Sequence, residues 1–204
     1  DPPVQLTSPE LSIEIAKALQ ELYSATDQNI RKDVLKELTN KGDVRVKVLL
    51  QSLAFGTLRP VFDESIKSSL NQKQIEMTLN VMANSLVYWS QDLFYSDLLK
   101  QGSQIFAMTS SGGHRQWKAY GAVSAAKAAL ESYCRQLATE LGPYNIACNA
   151  LQAGVTDTPA LRKIPGNDLM IENTIKINPS KRLTTPEDLA KVVSMIGLSE
   201  NTWM

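Results

Sequence analysis

The period of apolar residues changes several times along the chain, and each change predicts a new element. Residues 11–26 (LSIEIAKALQELYSAT) carry apolar side chains at helical spacing, and residues 30–42 (IRKDVLKELTNKG) continue that spacing as far as a glycine. Residues 43–55 (DVRVKVLLQSLAF) then change to a period of two and become continuously apolar. Such a run is typical of a parallel strand that is buried on both faces.

The alternation of helix and strand continues beyond this first strand. Residues 71–99 have a helical pattern, and residues 103–111 (SQIFAMTSS) predict a second short buried strand. The next helix contains Lys127 and ends near Leu141. Residues 145–154 (NIACNALQAG) predict a third strand, which ends in a glycine turn.

The last part of the chain completes the pattern. A polar, proline-containing stretch follows the third strand and predicts no element of its own. Residues 184–199 (TTPEDLAKVVSMIGLS) predict a final helix, with Thr185 as its N-cap and Pro186 at its first position. Strands that alternate with helices indicate an α/β protein whose parallel sheet carries helices on both faces. We therefore expect one α/β domain over residues 1–204.

The composition limits the classes of partner. The 204 residues are 43% hydrophobic, and 21 Lys and Arg match 21 Asp and Glu, so nothing favours nucleic acid or an anionic membrane surface. No apolar run reaches the roughly 20 residues of a membrane span, and the first residues lack a signal-peptide pattern. We therefore expect a cytoplasmic protein in which Cys134 and Cys148 are reduced thiols. A single histidine excludes a His-rich metal site.

Tyr120 and Lys127 lie in residues 120–142 (YGAVSAAKAALESYCRQLATELG), a helical stretch made largely of small residues. Seven residues turn an α-helix through about 700°, so the two side chains share a face, with their backbones about 10 Å apart. A cation near a phenol favours the phenolate, so Lys127 helps Tyr120 to stabilise negative charge or to give up a proton. The alternative is a surface lysine and a half-buried tyrosine that merely share a face.

The predicted strand ends supply polar groups near this pair, in residues 52–56, 109–113 and 153–158. In a parallel α/β sheet, ligands bind at the carboxyl ends of the strands. Glycine turns let backbone approach a ligand closely, and hydroxyl groups bind phosphates or amides. This context favours a catalytic site over chance proximity.

Five stretches resemble successive blocks of the short-chain dehydrogenase/reductase family: VLLQSLAFG, IFAMTSSGG, YGAVSAAKAALESYCRQLATELG, IACNALQAGVTDTPAL and SKRLTTPEDLAKVV. Their order and intervals fit from about residue 44 to the end. Ordinary members place the tyrosine four residues before the lysine, where this chain has Val123. A tyrosine seven residues before the lysine, with SLAFG in place of NNAG, resembles the enoyl-acyl-carrier-protein reductases. The resemblance implies a Rossmann-type doubly wound parallel sheet.

The resemblance also implies an NAD(P)H-dependent enzyme that reduces the trans-2 double bond of an enoyl thioester in fatty acid synthesis. Tyr120 would donate a hydrogen bond to the thioester oxygen, and Lys127 would bind the nicotinamide ribose. Thr156 would meet the carboxamide, and Thr158 would reach the phosphates. The other implied contacts are Ser52, Leu53, Ala54, Gly154 and Val155 for the cofactor, and Phe55 and Leu161 for the acyl chain.

The chain departs from the family pattern in two respects. Ser110 stands ten residues before Tyr120, where many enoyl reductases have a second tyrosine and ordinary reductases have their catalytic serine. The family's TGxxxGIG phosphate loop and its terminal TGxxxxVDGG strand are missing, so we expect a sheet without its first strands and its last strand. We therefore expect this chain to be part of a longer protein and to bind a dinucleotide poorly by itself.

Two other functions remain open. A carbonyl reductase of the same family would use Ser110 and Tyr120 as an acid pair, whereas an inactive homologue would serve as a binding or assembly subunit. The resemblance implies an acyl-carrier-protein or CoA thioester as partner and a homodimer or homotetramer, with either NADH or NADPH as cofactor. We expect His114 to face solvent and Asp157 to stabilise a turn.

Overall fold

The computed structural model describes residues 26–199 and 202–203. Except for its last residue, the helix predicted over residues 11–26 lies outside these described residues. The chain divides into two compact units, Asp1–Val44 and Arg45–Met204. The single domain over residues 1–204 stays a prediction.

The first unit contains helix α1, Gln28–Asn40, as the pattern of residues 30–42 predicts. Asp27 is its N-cap, and the carboxylate accepts a hydrogen bond from the Asn29 N–H at 2.8 Å. Gly42, which follows the helix, has a φ of +94°. The predicted glycine stop is therefore confirmed.

The second unit is built on three parallel strands: β1, Val48–Gln51; β2, Gln104–Thr109; and β3, Ala147–Gln152. They lie in the order β1-β2-β3. Gln51 pairs with Ala107, which pairs in turn with Ala150. The three carboxyl ends therefore meet at one edge of the sheet, as the sequence predicts.

The described residues of this second unit form five α-helices. Our sequence interpretation misses one of them, the helix over Asn167–Ile177, because none of its residues is buried and it therefore has no clear apolar stripe. The helices are α2, Gln72–Leu79; α3, Ser85–Tyr95; α4, Gly121–Leu141; α5, Asn167–Ile177; and α6, Pro186–Gly197. Short 3₁₀ turns cover Ser111–Gly113, Gly142–Tyr144 and Leu161–Lys163.

The single helix predicted over residues 71–99 is interrupted by a π-helical turn, Asn80–Asn84, which joins α2 to α3. The buried Gln51 side chain at the end of β1 donates a hydrogen bond to the carbonyl oxygen of Met82 at 3.1 Å. A π turn widens the helix locally, so a carbonyl group can leave the regular ladder and accept from a side chain. This contact fixes the helix against the strand end that leads to Ser52.

Alternation along β2 sends side chains to the two faces of the sheet. On one face the Gln104 amide donates to the Ile196 carbonyl of α6 at 2.8 Å, and Phe106 packs close to Gly197. On the other face the Thr109 hydroxyl meets α4. Helices therefore cover both faces, as predicted. Within the described residues, no helix combines the length and the apolarity that a membrane crossing requires.

Helix α6 begins with a capping box, which confirms Thr185 as its N-cap. The Thr185 hydroxyl accepts from the Asp188 N–H at 3.3 Å, and the Asp188 carboxylate accepts from the Thr185 N–H at 3.0 Å. Replacing Thr185 with alanine should lower the free energy of unfolding by about 1 kcal/mol, because one buried acceptor is lost. Urea denaturation checks this value, and Thr185→Ser, which keeps the hydroxyl, is the control. Equal losses in both variants would show that the cap hydroxyl contributes nothing.

Candidate active site

Tyr120 lies immediately before α4 and not within it, which corrects our placement of this residue on the helix. Helix α4 begins at Gly121, and the Tyr120 carbonyl accepts the Ser124 N–H at 2.8 Å. Ala119 has a left-handed φ of +62°, which turns the chain sharply into the helix. The phenol therefore enters the site from the N-cap position.

The Tyr120 ring packs against the turn that follows β2. A Cβ atom at Gly112 would lie only 2.4 Å from Cε1 of the ring, so this position requires glycine. Burial raises the pKa of the Tyr120 phenol, and a hydrogen bond with the Ser110 side chain opposes part of that rise. The phenol is thus held in its protonated form beside a serine hydroxyl.

Lys127 is buried, with 6% of its surface exposed, and its side chain points at the carboxyl end of β2. Its Nζ donates a hydrogen bond to the Met108 carbonyl at 2.6 Å. Burial lowers the pKa of Lys127 from 10.5 to about 8, against the opposing effect of the nearby Glu131 carboxylate. A buried ammonium of this kind is costly and readily releases its proton.

The structure brings Tyr120, Lys127 and Ser110 together at the carboxyl end of β2. Lys127 reaches the carbonyl of Met108, and Tyr120 reaches the side chain of Ser110, which lies two residues further along the chain. A phenol, a serine hydroxyl and an ammonium group therefore share one strand end. This set can donate hydrogen bonds to an oxygen that becomes negative, and it can deliver a proton.

The residues after β1 lie at the neighbouring strand end. Ser52 and Ala54 are exposed, and Leu53 is half-buried, so backbone in this segment is open to a ligand. The Phe55 side chain is 47% exposed, which leaves an apolar surface in the same segment. Their cofactor-binding and acyl-chain roles remain predictions.

The segment after β3 is held by its own hydroxyl groups. Thr156 donates to the Gly154 carbonyl at 2.9 Å, and the Val155 carbonyl accepts the Thr184 N–H at 3.0 Å. The Thr158 hydroxyl accepts the Leu161 N–H at 3.2 Å. These bonds shape the turn, and the phosphate and carboxamide contacts of its residues remain predictions.

Two further residues of this segment, Leu161 and Asp157, have surroundings that bear on their predicted roles. The Leu161 side chain is 7% exposed and packs in the core, so it has little surface to offer an acyl chain without movement. Asp157 accepts two hydrogen bonds from Arg162, at 2.9 and 2.7 Å, which confirms its role in stabilising the turn. The Arg162 guanidinium holds the pKa of Asp157 below its usual range.

Sequence interpretation missed Glu131 and Trp117. Glu131 accepts hydrogen bonds from Thr109 and binds His114, which projects into solvent as expected but also pairs with this acid. Its position four residues after Lys127, on the same helical face, is the signal that could have revealed it. Trp117 donates to the Pro165 carbonyl at 3.0 Å and so joins the loop before Tyr120 to the segment after β3.

The thiols and acids of the described residues do not form a recognisable metal site. Cys134 on α4 and Cys148 on β3 are free and buried in this structure, and their reduced state in the cell stays a prediction. Within the described ranges, no group of three His, Cys, Asp or Glu side chains is arranged to hold a metal ion.

The residues at this site fit one half of a nicotinamide cofactor. Lys127 Nζ carries three hydrogens and gives one to Met108, so among the described residues two are left for ribose hydroxyl groups. The Tyr120 ring covers Gly112, and Gly113 packs on α4, so this turn cannot receive a phosphate. Residues 26–199 contain no other glycine-rich turn from a strand to a helix. They thus fit a nicotinamide ribose and offer no cradle for a pyrophosphate.

Solved structures share this fold. An enoyl-[acyl-carrier-protein] reductase (NADH) from Aquifex aeolicus superposes with a TM-score of 0.75 at 21% identity, over 93% of this chain and 75% of that one. A FabI–NADH complex from Alistipes finegoldii gives 0.74 at 19% identity, over 86% and 62% of the two chains. A short-chain dehydrogenase/reductase from Brucella melitensis gives 0.71 at 19% identity, over 85% and 66%. The fold is therefore the Rossmann-like α/β fold of the short-chain dehydrogenases/reductases.

Sequence comparison gives the family within that class. The profile described as Enoyl-(Acyl carrier protein) reductase matches residues 14–204, so the chain belongs to the enoyl-(acyl carrier protein) reductase family. The enoyl-[acyl-carrier-protein] reductase [NADH] FabI of Rickettsia felis is 30% identical over 69% of this chain and 53% of the relative. The FabI of a Nostoc species is 28% identical over 75% and 58%. The chain thus spans little more than half the length of these relatives.

Proposed function

We propose that the full-length protein is an NAD(P)H-dependent reductase of the carbon–carbon double bond of a trans-2-enoyl thioester. The observation that carries this proposal is that the Tyr120 ring packs on the turn after β2 while Lys127 Nζ binds the Met108 carbonyl near the end of the same strand. Membership of the enoyl-(acyl carrier protein) reductase family supports it. A bound reduced nicotinamide supplies a hydride to the β-carbon, and the electron pair of the double bond moves toward the thioester oxygen.

In this reaction Tyr120 acts on the oxygen that becomes negative. The raised pKa keeps the phenol protonated at neutral pH, so it donates a hydrogen bond to the developing enolate oxygen. The neighbouring Ser110 side chain would help to orient the phenol. The α-carbon then takes a proton, which leaves a saturated thioester.

Lys127 places positive charge beside the reacting atoms. Its ammonium is anchored on the Met108 carbonyl, and its other hydrogens are available to the two ribose hydroxyl groups of a nicotinamide. In a buried site this charge also favours a nearby enolate more than it would in water. Lys127 therefore positions the cofactor and stabilises the transition state.

The names of the relatives support a choice of cofactor and of thioester partner. The FabI relatives carry NADH in their names, so we propose NADH, with NADPH as the other candidate. The same names favour an acyl-carrier-protein thioester over a CoA thioester. A 1-cyclohexenylcarbonyl-CoA reductase of Streptomyces collinus is also similar, at 29% identity over 48% of this chain and 36% of that relative. We further propose a cytoplasmic homodimer or homotetramer.

One contact favours a second candidate, a carbonyl reductase. The Ser110 side chain lies close enough to Tyr120 to lower the pKa of its phenol, and such an acid pair would polarise a ketone as well as a thioester. In a ketone reductase, hydride and proton go to adjacent atoms, so the phenol would have to stand closer to the nicotinamide.

A comparison of two substrates separates these functions. We expect the full-length protein to oxidise NADH or NADPH with a crotonyl thioester. With an acetoacetyl thioester it should be at least about tenfold less active, because a tenfold preference needs only about 1.4 kcal/mol of difference in transition-state free energy. The initial rate of absorbance loss at the reduced nicotinamide band measures both. A preference for acetoacetyl thioester would favour the carbonyl reductase, and no oxidation with either substrate would contradict both reductase assignments.

A further inference from the structure

Glu131 is a nearly buried acid on α4 whose two carboxylate oxygens are both bound. Its side chain is 12% exposed. Oε1 accepts a hydrogen bond from the Thr109 hydroxyl at 2.5 Å, and Oε2 lies 2.7 Å from Nε2 of His114. A carboxylate in such surroundings is costly unless it is bonded, so these two partners are required for its burial.

The two partners of Glu131 stand on either side of Ser110. Thr109 is the last residue of β2, and His114 follows the 3₁₀ turn that Ser110 caps. Within the turn, the Ser110 carbonyl accepts the Gly113 N–H at 3.0 Å, and the Ser110 hydroxyl accepts the Gly112 N–H at 3.1 Å. One carboxylate therefore fastens both ends of the Ser110 turn to α4.

The same face of α4 carries Lys127, one helical turn before Glu131. Lys127 binds the Met108 carbonyl, so consecutive residues of β2 are tied to consecutive turns of the helix. A Cβ atom at Gly113 would lie 3.5 Å from both Lys127 Cβ and Glu131 Oε1, which shows that the turn packs directly on this face. The position of Ser110 relative to the helix that starts at Tyr120 is thus set through Glu131.

We propose that Glu131 is a positioning residue, whose carboxylate clamps residues 109–114 against α4 and thereby holds the Ser110 hydroxyl at the Tyr120 phenol. The clamp is a property of this chain's own contacts. Its catalytic consequence rests on the proposed reductase function.

Hydrogen exchange tests the clamp without any substrate. In the full-length protein, Glu131→Ala should speed exchange of the Gly112, Gly113 and His114 amides about tenfold, because the turn loses both bonds to the helix. Glu131→Gln should stay near wild type, since its amide can accept from Thr109 and donate to His114. Glu140→Ala is the matched control: it removes an exposed glutamate of the same helix, which binds only Gln136 among the described residues.

Steady-state kinetics tests the catalytic consequence. Glu131→Ala should lower kcat about 10- to 100-fold through misplacement of the Ser110–Tyr120 pair, while KM for the enoyl thioester changes little. Recovery of most of the rate in Glu131→Gln would show that bond geometry, and not the negative charge, is what Glu131 supplies.

The outcomes separate the clamp from the proposed function. Faster exchange confined to the turn supports the clamp, and it does so even if the wild-type protein reduces no enoyl thioester, in which case only the proposed function fails. Unchanged exchange in Glu131→Ala overturns the clamp, whatever the rates. Faster exchange along all of α4 also overturns it, because that result indicates general loss of stability. If Glu131→Ala does not fold, Thr109→Val takes its place. Faster exchange confined to residues 109–114 in that variant supports the clamp. Wild-type rates and wild-type exchange in that variant overturn it.

Discussion

Replacing Tyr120 with phenylalanine should lower kcat/KM for a trans-2-enoyl thioester about 10²- to 10³-fold in the full-length protein. The change removes the one donor that we aim at the enolate oxygen and leaves the ring packed over Gly112. Because that packing is kept, the free energy of unfolding should change by no more than about 1 kcal/mol. Initial rates of NAD(P)H oxidation and urea denaturation measure the two effects.

Tyr133→Phe, on helix α4 just after Tyr120, provides a matched control. The Tyr133 hydroxyl donates to Asn84 at 3.0 Å, away from the end of β2, so its loss should cost about 1 kcal/mol of stability and leave kcat/KM near wild type. Full activity in Tyr120→Phe would exclude the phenol as the donor. Equal loss of activity in the two variants would mean that the rate reports the fold and not the site.

The parts of the fold that sequence predicts well depend on local patterns. Strands buried on both faces, such as Gln104–Thr109, are largely apolar, because a buried polar side chain needs a hydrogen-bond partner, as Gln104 has in Ile196. The cap at Thr185 is equally local, since its partner Asp188 is three residues away. Together these signals give the α/β alternation and the edge of the sheet at which the site lies.

The parts that sequence misses depend on contacts between distant segments. The role of Glu131 depends on Thr109, 22 residues earlier, whose hydroxyl donates to it where α4 packs on β2. Nothing in the sequence predicts the left-handed turn at Ala119 that puts Tyr120 at the N-cap, because alanine rarely adopts a positive φ. The burial of Leu161 likewise reflects tertiary packing, which a list of family positions does not contain.

Lys127 makes both activity and stability depend on pH, with opposite signs. Its pKa of about 8 in the folded protein lies below the 10.5 of an unfolded chain, because burial disfavours the charged form. Below pH 8 both states carry the proton, so the folded protein bears the full cost of burying an ammonium, about 3 kcal/mol. Between about pH 8 and 10.5 the unfolded chain binds more protons, and stability rises with pH through this window.

Activity should fall over the same range. The charged ammonium supports the enolate oxygen, so kcat/KM should decline as the pH rises through about 8. Tyr120 does not cause this decline, because burial raises the pKa of its phenol. Lys127→Arg keeps its charge throughout, so its residual activity should lack the alkaline limb. An unchanged limb in that variant would assign the titration to another group.

Lys127→Met isolates the effect on stability. Methionine fills a similar volume without charge, so its free energy of unfolding should not rise between pH 8 and 10, whereas that of the wild type should gain about 2 kcal/mol relative to it. Urea denaturation at half-unit steps of pH measures the difference between the two curves. Parallel curves would show that Lys127 has an ordinary pKa in the folded protein. The buried ammonium would then cost little, and the pH dependence of the rate would need a different source.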